Sequence, residues 1–463
     1  METPLRDIAR QLIKFLELMG KDTKAYFVGG CVRDGVMGIP CSDYDIEVFG
    51  LPIEDLHRQL NHYASTSHDM IGIHAVGKSF GILKVRTVHG DIDFSVPRKE
   101  NRVGVGHADF QCHLDPSMTI KEAASRRDFT MNTLSETIHG EIIDPFGGVC
   151  DIRTGTLRHA SLKFGEDPLR VLRAMQFCSR FGFMLAEETA TVCQEIHAGI
   201  YNLSVERIWM EWKKWALGHS PAAGIQALID TNWITHYPEL LALVHTEQDP
   251  EWHPEGNVLA HTMHAVNAAA TIGRHKHLGE EDMLVLVFAT LCHDMGKPCT
   301  TIKNEKGRIV APMHPEAGVS LAEDFLSSIG APSWLVERVL PLVREHMTHI
   351  HVKMPTKRLV ARLAQRLVPT NIAMLRLVCM ADYGGRPPLS GKDPMQDWEK
   401  LAAYYDVDTQ KPARILMGRH LIRAGLTPGP AMGKILDEAF EAQLDGEINT
   451  LEEALVWVET RLH

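Results

Sequence analysis

Residues 26–50 read YFVGGCVRDGVMGIPCSDYDIEVFG, and this stretch decides how the amino-terminal part of the chain folds. The apolar run at its start predicts a buried strand ending in Gly29 and Gly30, where backbone N–H groups can approach phosphate oxygens because no Cβ intervenes. Asp43 and Asp45 would share one face of the next strand, since strand side chains repeat with period two. Such a pair suits Mg²⁺ bound together with substrate phosphates, although an isolated D-x-D is more often a solvated pair of carboxylates.

The residues around this pair resemble the nucleotidyltransferase superfamily, and within it the bacterial CCA-adding tRNA nucleotidyltransferases and the poly(A) polymerases. The matching positions are Gly29, Gly30, Val32, Arg33, Asp34, Asp43 and Asp45. The resemblance implies that both aspartates are catalytic Mg²⁺ ligands, that the glycine pair binds nucleotide, that Arg33 faces the triphosphate and that Asp34 supports the loop. The alternative is that Arg33 and Asp34 form a local ion pair that caps a helix.

A two-metal site should draw a third carboxylate from a neighbouring strand. The segment 90–94 offers Asp91 and Asp93 on one strand face. We favour Asp93, because it lies deeper in the alternation of apolar residues. The nearby segment 98–107, RKENRVGVGH, is predicted to be either a mobile loop beside the site or an ordinary hairpin connection.

Residues 126–132, RRDFTMN, match the RRDFT-x-N signature of the same family. An arginine such as Arg127 can fork onto phosphate oxygens, while Asp128 and Asn132 can hold ribose hydroxyls. These side chains therefore suit a ribonucleotide substrate. The alternative is a cluster of salt bridges at the start of a helix.

Residues 166–173, EDPLRVLR, are typical of the bacterial and eukaryotic-type CCA-adding class. Asp167 and Arg170 are predicted to share one helix face because they are three residues apart, and Arg173 follows one turn later. A carboxylate that accepts from an exocyclic amine and a guanidinium that donates to a ring nitrogen would admit cytosine and adenine and reject uracil and guanine. The alternative is a surface ion pair.

A second group of residues lies in the carboxy-terminal half and resembles an HD-type metal-dependent phosphohydrolase domain. The resemblance implies that a divalent metal and its activated water are bound by His261, His293, Asp294 and Asp382. His314 and His346 could complete a second metal site or bind substrate phosphate, and Lys297 could take a phosphate oxygen. Imidazole and carboxylate ligands on facing helices suit Mn²⁺ or a transition metal such as Ni²⁺ or Fe²⁺ better than Mg²⁺ alone.

Composition limits the classes of protein to which the chain can belong. The 463 residues carry a formal net charge of −11, so the chain should not coat nucleic acid non-specifically, and any RNA contact must be a local basic patch. Nine scattered cysteines without a C-x-x-C pair indicate reduced thiols in a cytoplasmic protein. No apolar run approaches the ~18 residues of a membrane span.

The secondary-structure pattern changes once along the chain. Strand-like runs alternate with helical segments up to about residue 150, and beyond it nearly every segment is predicted to be helical. We predict an α+β fold with a nucleotidyltransferase head (1–150), a helical neck with a base-reading helix (151–245), an HD domain (246–390) and a helical tail (391–463).

The resemblance covers nearly the whole chain and implies template-independent addition of CMP and AMP, from CTP and ATP, to the 3′ end of tRNA. Mg²⁺ is expected in the head and a divalent metal in the HD domain. The chain is expected to be a monomer or homodimer with no membrane partner. The HD domain is expected to act as a 2′,3′-cyclic phosphodiesterase or phosphatase. Three alternatives remain: a CC-adding, A-adding or poly(A)-adding relative, a nucleotide-signalling synthetase-hydrolase, and a non-catalytic RNA-binding protein.

Overall fold

The computed structural model describes residues 3–76, 81–102, 110–352, 355–388, 393–405, 407 and 413–462. The chain divides into two compact units. The first unit contains residues 1–211 and 226–233, and the second contains residues 212–225 and 234–463. None of the helices in the described ranges is both long enough and apolar enough to cross a membrane.

The first unit begins with the head, a mixed sheet with flanking helices. Its helices are α1 (Pro4–Met19), α2 (Gly30–Val36), α3 (Ile53–Ala64), α4 (Ile120–Ala124) and α5 (Gly148–Thr154). Its strands are β1 (Lys24–Val28), β2 (Tyr44–Phe49), β3 (Met70–Val76), β4 (Ile82–Thr87), β5 (Gly90–Ser95), β6 (Arg98–Arg102), β7 (Phe110–Leu114), β8 (Ser135–Glu136) and β9 (Ile142–Ile143).

Seven strands form one sheet in the order β3-β4-β5-β2-β1-β8-β9. Strands β2 and β5 are parallel, and the other neighbours are antiparallel. Helix α1 is amphipathic and buries Leu12 and Leu16 in the same core as Phe27 and Phe94 of the sheet. This packing fixes the strands whose polar edges carry the acidic residues.

The segment 98–107, for which a mobile loop and a hairpin connection were both predicted, is partly strand. Residues 98–102 form β6 and pair antiparallel with β7, so this part is a hairpin arm whose backbone groups bond across the ladder. Residues 103–107 lie outside the described residues.

The rest of the first unit is mainly helical and continues from the head. It contains β10 (Thr156–Leu157), α6 (Leu169–Phe181), β11 (Met184–Leu185), α7 (Glu187–Glu195), α8 (Val205–Ala216) and α9 (Pro221–Asp230); the end of α8 and the start of α9 belong to the second unit. The rings of Phe164 and Phe177 both pack edge-on against Phe129, with centroids 5.5 and 5.6 Å away. These aromatic contacts fix α6 against the segment that carries the RRDFT motif.

The second unit is almost entirely helical. It contains α10 (Pro238–Val244), α11 (Val258–His275), α12 (Glu280–Cys292), α13 (Lys297–Thr300), β12 (Ile302–Lys303), β13 (Ile309–Val310), α14 (His314–Ser328), α15 (Ser333–Glu345), α16 (Lys357–Arg366), α17 (Ile372–Gly384), α18 (Gln396–Tyr404), α19 (Gly418–Arg423), α20 (Pro430–Leu444) and α21 (Leu451–Leu462). Helix α12 is buried along almost its whole length and packs on α11, α15 and α17. The predicted α+β fold, with a sheet in the head and helices beyond it, is confirmed.

Candidate active sites

The acidic residues of the head converge on neighbouring strands. Asp43 directly precedes β2, and Asp45 lies within it, opposite Asp93 of β5 in the parallel register. Loss of hydration beside the sheet raises the pKa of Asp45. The negative charges of Asp93 and Asp43 add to this rise, while Arg127 opposes it. Three carboxylates that repel one another in this way are a suitable oxygen donor set for Mg²⁺.

The two candidates for the third carboxylate have different neighbours. Asp93 Oδ1 forms an ion pair with Lys84 Nζ at 2.8 Å, and Asp93 lies opposite Asp45. Asp91 lies at the outer end of the strand, where Arg86 Nε is 3.6 Å away. Asp93 is therefore the better placed of the two, and its catalytic role stays a prediction.

A cavity of about 490 Å³ opens beside these acids, and it is strongly basic. Its lining comprises Gly29, Gly30, Arg33, Arg98, Arg126, Arg127, Asp128, Asn132, Asp167, Leu169, Arg170, Arg173, Phe177 and Arg207. Seven arginines thus face two aspartates, an arrangement that attracts a polyanion. At its floor Gly29 has φ 72°, and a Cβ there would come within 2.5 Å of Arg127 Nη1. Only glycine fits this position.

Arg33, which lines this cavity, forms hydrogen bonds with other protein groups. Its Nε donates to Asp34 Oδ1 at 2.7 Å and its Nη1 to Asn132 Oδ1 at 2.8 Å, and the guanidinium lies over the rings of Phe177 and Phe181. The local ion pair between Arg33 and Asp34 that was predicted as the alternative is thus present. Arg33 also forms a hydrogen bond to the RRDFT-x-N segment. Contact between Arg33 and a triphosphate stays a prediction.

Asp128 and Asn132 form the centre of a buried polar network. Asp128 Oδ1 accepts from Asn132 Nδ2 at 2.8 Å, and its Oδ2 accepts from Arg173 Nε at 2.7 Å. Burial alone would raise the pKa of Asp128, but the charge of Arg173 and these hydrogen bonds hold it below its usual range. The network connects the RRDFT-x-N segment to helix α6, so the two sequence motifs form one site.

The prediction that Asp167 and Arg170 share a helix face is wrong. Asp167 is extended, with φ −124° and ψ 105°, and α6 begins at Leu169, two residues later. A residue before proline is driven out of the helical region, and Pro168 has this effect on Asp167. The carboxylate instead caps the helix by accepting from Leu169 N at 3.0 Å, and it pairs with Arg207 at 2.9 Å.

Arg170 still points towards the same cavity. It donates from Nη1 to the carbonyl of Lys163 and from Nη2 to the carbonyl of Arg126, both at 2.7 Å. Its orientation is therefore fixed by the backbone. Asp167 and Arg170 line the cavity together although they do not lie on one helix.

Sequence reasoning missed Arg207 and Glu47. Arg207 comes from α8, 40 positions after the aspartate that it contacts, and no local signal indicates this pairing. Glu47 is 2% exposed and accepts from Arg126 Nη2 at 2.9 Å. The same period-two argument that grouped Asp43 with Asp45 could have found Glu47, since it occupies the next position on that face.

The second unit brings six sequence-predicted residues together in a histidine–aspartate centre. Its members are His261, His293, Asp294, His314, His346 and Asp382, and none is more than 5% exposed. They arrive from α11, from the ends of α12 and α15, from the start of α14 and from α17. Among the described residues of the head, no comparably close group of ligand atoms occurs; the groups within 4.8 Å all lie in the second unit.

The centre has two halves that meet at Asp294. In one half, His261 Nε2 lies 3.3 Å from His293 Nε2 and 3.1 Å from Asp382 Oδ1. In the other, His314 Nε2 lies 3.2 Å from His346 Nε2. Asp294 presents Oδ2 to His293 at 3.2 Å and Oδ1 to His314 at 3.4 Å. One carboxylate thus faces both halves, and the nitrogen and oxygen ligands of each half suit a divalent metal.

The outer nitrogens of the four histidines are all engaged. Nδ1 of His293, His314 and His346 each lies 2.7 Å from a backbone carbonyl, of Thr290, Ala311 and Val343 respectively. Nδ1 of His261 lies 2.7 Å from Glu255 Oε1, which also lies 2.9 Å from His253 Nδ1. Each Nδ1 therefore carries the hydrogen, and each Nε2 presents its lone pair towards the centre, as in metal-binding histidines. Glu255 was not predicted, because it precedes the motif in a segment without helical periodicity.

Two cations lie beside the carboxylates, in the wall of a cavity of about 640 Å³. Lys297 Nζ is 2.7 Å from Asp294 Oδ2, and Arg386 Nη2 is 2.7 Å from Asp382 Oδ1. Burial would raise the pKa of Asp294, but His293 and Lys297 hold it well below its usual range. Burial also lowers the pKa of His346 to about 3. The carboxylates are therefore charged and this imidazole is neutral, which are the protonation states that a metal requires.

Three segments of the chain match models of known families. Residues 25–158 match the poly A polymerase head domain, residues 182–243 match the probable RNA and SrmB-binding site of polymerase A, and residues 258–383 match the HD domain. The resemblance seen in the motifs is confirmed for these three parts.

Solved structures of CCA-adding enzymes resemble the whole chain. The Bacillus stearothermophilus enzyme in complex with CTP has a TM-score of 0.65 and 21% identity, over 99% of each chain. The Thermotoga maritima enzyme complexed with tRNA has a TM-score of 0.61 and 19% identity, over 100% of this chain and 97% of its own. A complex with ATP has a TM-score of 0.63 and 19% identity, over 100% and 95%. The chain therefore combines the head domain of the poly A polymerase family, the RNA-binding segment of that polymerase and an HD domain in the fold of the CCA-adding enzymes.

Proposed function

We propose that this chain is a CCA-adding tRNA nucleotidyltransferase that also carries an HD-type phosphohydrolase. The proposal rests chiefly on one observation: Asp45 lies opposite Asp93 and within electrostatic reach of Arg127, one of seven arginines in a cavity whose lining also includes Asp167 and Arg170. Acidic metal ligands, a polyanion pocket and a base-reading pair are thus adjacent. The solved complexes of similar fold with CTP, ATP and tRNA support the same assignment.

In the proposed reaction the 3′-hydroxyl of tRNA attacks the α-phosphate of CTP or ATP, and diphosphate leaves. Asp43, Asp45 and Asp93 would hold Mg²⁺, which when bound activates the hydroxyl and neutralises the diphosphate. The arginines orient the triphosphate through forked hydrogen bonds, and Gly29 lets the backbone approach it. Catalysis by these residues consists of positioning and charge neutralisation.

Base selection is assigned to Asp167 and Arg170. The carboxylate accepts from the exocyclic amine that cytosine and adenine share, and the guanidinium donates to the adjacent ring nitrogen. Uracil and guanine would place donors against Arg170 and an acceptor against Asp167, leaving polar groups unpaired. Each such contact is worth about 1–3 kcal/mol of discrimination. The two backbone carbonyls that hold Arg170 keep its geometry fixed for this purpose.

The test is an assay of the purified full-length chain on tRNA ending at the discriminator base, at C, or at CC, with labelled CTP, ATP or both. The expected result is completion of CCA on every substrate and no labelling from UTP or GTP. Addition of only CC or only A would identify a partial enzyme, and long A tails a poly(A) polymerase. Absence of any RNA labelling, with pyrophosphate transfer to a guanine nucleotide instead, would identify a signalling synthetase-hydrolase.

For the second unit we propose hydrolysis of 2′,3′-cyclic or terminal phosphates on RNA ends. His261, His293, Asp294, His314, His346 and Asp382 would hold divalent metal, which when bound would supply an activated water, and Lys297 is placed to bind a phosphate oxygen. The nitrogen-rich donor set favours Mn²⁺, Ni²⁺ or Fe²⁺ over Mg²⁺. The chain stripped with chelator and reloaded with each ion should bind up to two ions and cleave 2′,3′-cyclic AMP. Absence of bound metal by elemental analysis would contradict the assignment.

The proposed activities also suggest where the chain acts and how it is divided. We propose a cytoplasmic location, which reduced cysteines and a tRNA substrate would suit. The head, neck, HD domain and tail predicted at 1–150, 151–245, 246–390 and 391–463 stay our proposed division, and limited proteolysis between these segments would test it.

A further inference from the structure

Glu47 is the third acidic residue on the strand face that carries Asp43 and Asp45, but its surroundings differ from theirs. It is 2% exposed, whereas Asp43 and Asp45 are exposed. Its Oε1 accepts from Arg126 Nη2 at 2.9 Å, and its Oε2 lies 3.6 Å from Arg127 Nη2. Each oxygen of the Glu47 carboxylate thus lies close to one of the two adjacent arginines of the RRDFT motif.

Each of these two arginines contacts a different part of the proposed nucleotide site. Arg127 Nη1 donates to the carbonyl of Asn132 at 3.2 Å and lies against Gly29. The backbone carbonyl of Arg126 accepts from Arg170 Nη2 at 2.7 Å. Glu47 therefore contacts the phosphate-facing arginine directly and is connected to the base-reading arginine through the backbone of Arg126.

We propose that Glu47 is a positioning residue for nucleotidyl transfer, which fixes Arg127 for the triphosphate and, through Arg126, Arg170 for the base. The inference rests on the proposed function. Two neighbouring guanidinium groups repel each other, and a buried carboxylate between them offsets that repulsion. A neutral amide has a single acceptor oxygen and cannot hold both.

The test uses Glu47→Gln and Glu47→Asp in the full-length chain, with Glu136→Gln as the matched control. Glu136 is a 7%-exposed glutamate of the same sheet that pairs with an arginine, Arg6, and it lies outside the cavity lining. Glu47→Gln should raise KM for CTP and ATP on the order of tenfold to a hundredfold, the size expected for misplaced substrate-binding groups. It should also increase UTP and GTP incorporation relative to CTP. Glu47→Asp keeps the charge and should retain part of the wild-type KM and selectivity.

The outcomes separate this inference from the proposed function. If the wild-type chain does not add nucleotides to tRNA, the proposed function fails, whatever the variants do. If wild-type addition is normal and Glu47→Gln loses thermal stability as Glu136→Gln does, yet keeps wild-type KM and base selectivity, Glu47 is only structural and the inference is overturned. Should Glu47→Gln fail to fold, the KM and selectivity of Glu47→Asp decide, and unchanged values would overturn it equally.

Discussion

The acidic centres of the two units are built differently. Asp43 and Asp45 are exposed where the inner strand β2 begins, and the charge of Arg127, one of seven arginines that line a cavity, acts on Asp45. The six members of the histidine–aspartate centre are nearly fully buried, and every outer imidazole nitrogen has a protein acceptor. In the proposed function, substrate phosphates would complete the metal coordination of the head, whereas the second unit would supply most of the ligands itself.

This difference predicts how each centre responds to substitution. The head should be sensitive to loss of charge at individual acids, with little effect on stability, because Asp43 and Asp45 repel each other and Asp93 in the folded state. The histidine–aspartate centre should respond to substitution through metal content and through unpaired buried groups. Since the two centres share no residue, each variant also serves as a control for the activity of the other unit.

The largest effect is expected for Asp45→Asn. The substitution removes one negative charge from the metal-binding face without changing side-chain size, and CMP and AMP addition should fall on the order of a thousandfold, as when a main electrostatic group is lost. Primer extension on tRNA ending in CC measures it. Cleavage of 2′,3′-cyclic AMP by the same preparation should be unchanged. Nucleotide addition within tenfold of wild type would contradict the proposed role of Asp45.

The next largest effect is expected for Asp294→Asn, because Asp294 faces both halves of the centre. An amide has one acceptor oxygen, so it cannot bridge two ions, and hydrolysis should fall by more than about a hundredfold together with metal content. Elemental analysis after dialysis and a cyclic-phosphate assay measure these effects. CCA addition is the internal control and should stay normal. Full metal content in this variant would show that Asp294 does not bridge two ions.

The sequence predicted much of both sites, because the relevant side chains follow local periodicity. Period two predicted that Asp43 and Asp45 share one face, and the apolar alternation favoured Asp93, which lies opposite Asp45 in the sheet and whose role as third carboxylate stays a prediction. Asp167 was misplaced because helix spacing was applied across Pro168, although the proline itself disfavours a helical residue before it. Tertiary packing brings Arg207 and Glu255 to their partners, and the local sequence periodicity does not indicate these contacts. The division of the HD residues into two halves that meet at Asp294 depends on five converging helix segments, and residue order alone cannot give it.

A smaller effect, on the same centre, is expected for Glu255→Gln. The carboxylate lies 2.7 Å from His261 Nδ1 and should orient that ring and increase its basicity. Loss of the charge should weaken metal binding about tenfold to a hundredfold, the range for residues behind metal-binding histidines. Metal titration by calorimetry measures it. The matched control is Glu345→Gln, a buried glutamate of the same unit whose carboxylate bonds to Arg366 and Thr348 although its backbone adjoins His346. Equal metal affinity in both variants would refute the role of Glu255.

The smallest effect is a shift in acid stability of the first unit upon Arg173→Gln. The folded-state pKa of Asp128 is below its usual value, so its contribution to stability is fully present above about pH 4 and is lost as the pH falls through the lowered folded pKa. Without Arg173, burial dominates and raises that pKa, so the loss should begin at a higher pH, and stability at pH 7 should fall by about 2 kcal/mol. Circular dichroism during acid titration and urea unfolding measure both quantities.

Arg180→Gln on the same helix is the control, because Arg180 is about half exposed and lies 3.5 Å from Asp34. This substitution should shift stability by less than about 0.5 kcal/mol. If the acid midpoints of the two variants coincide, Arg173 does not hold Asp128 in its charged form.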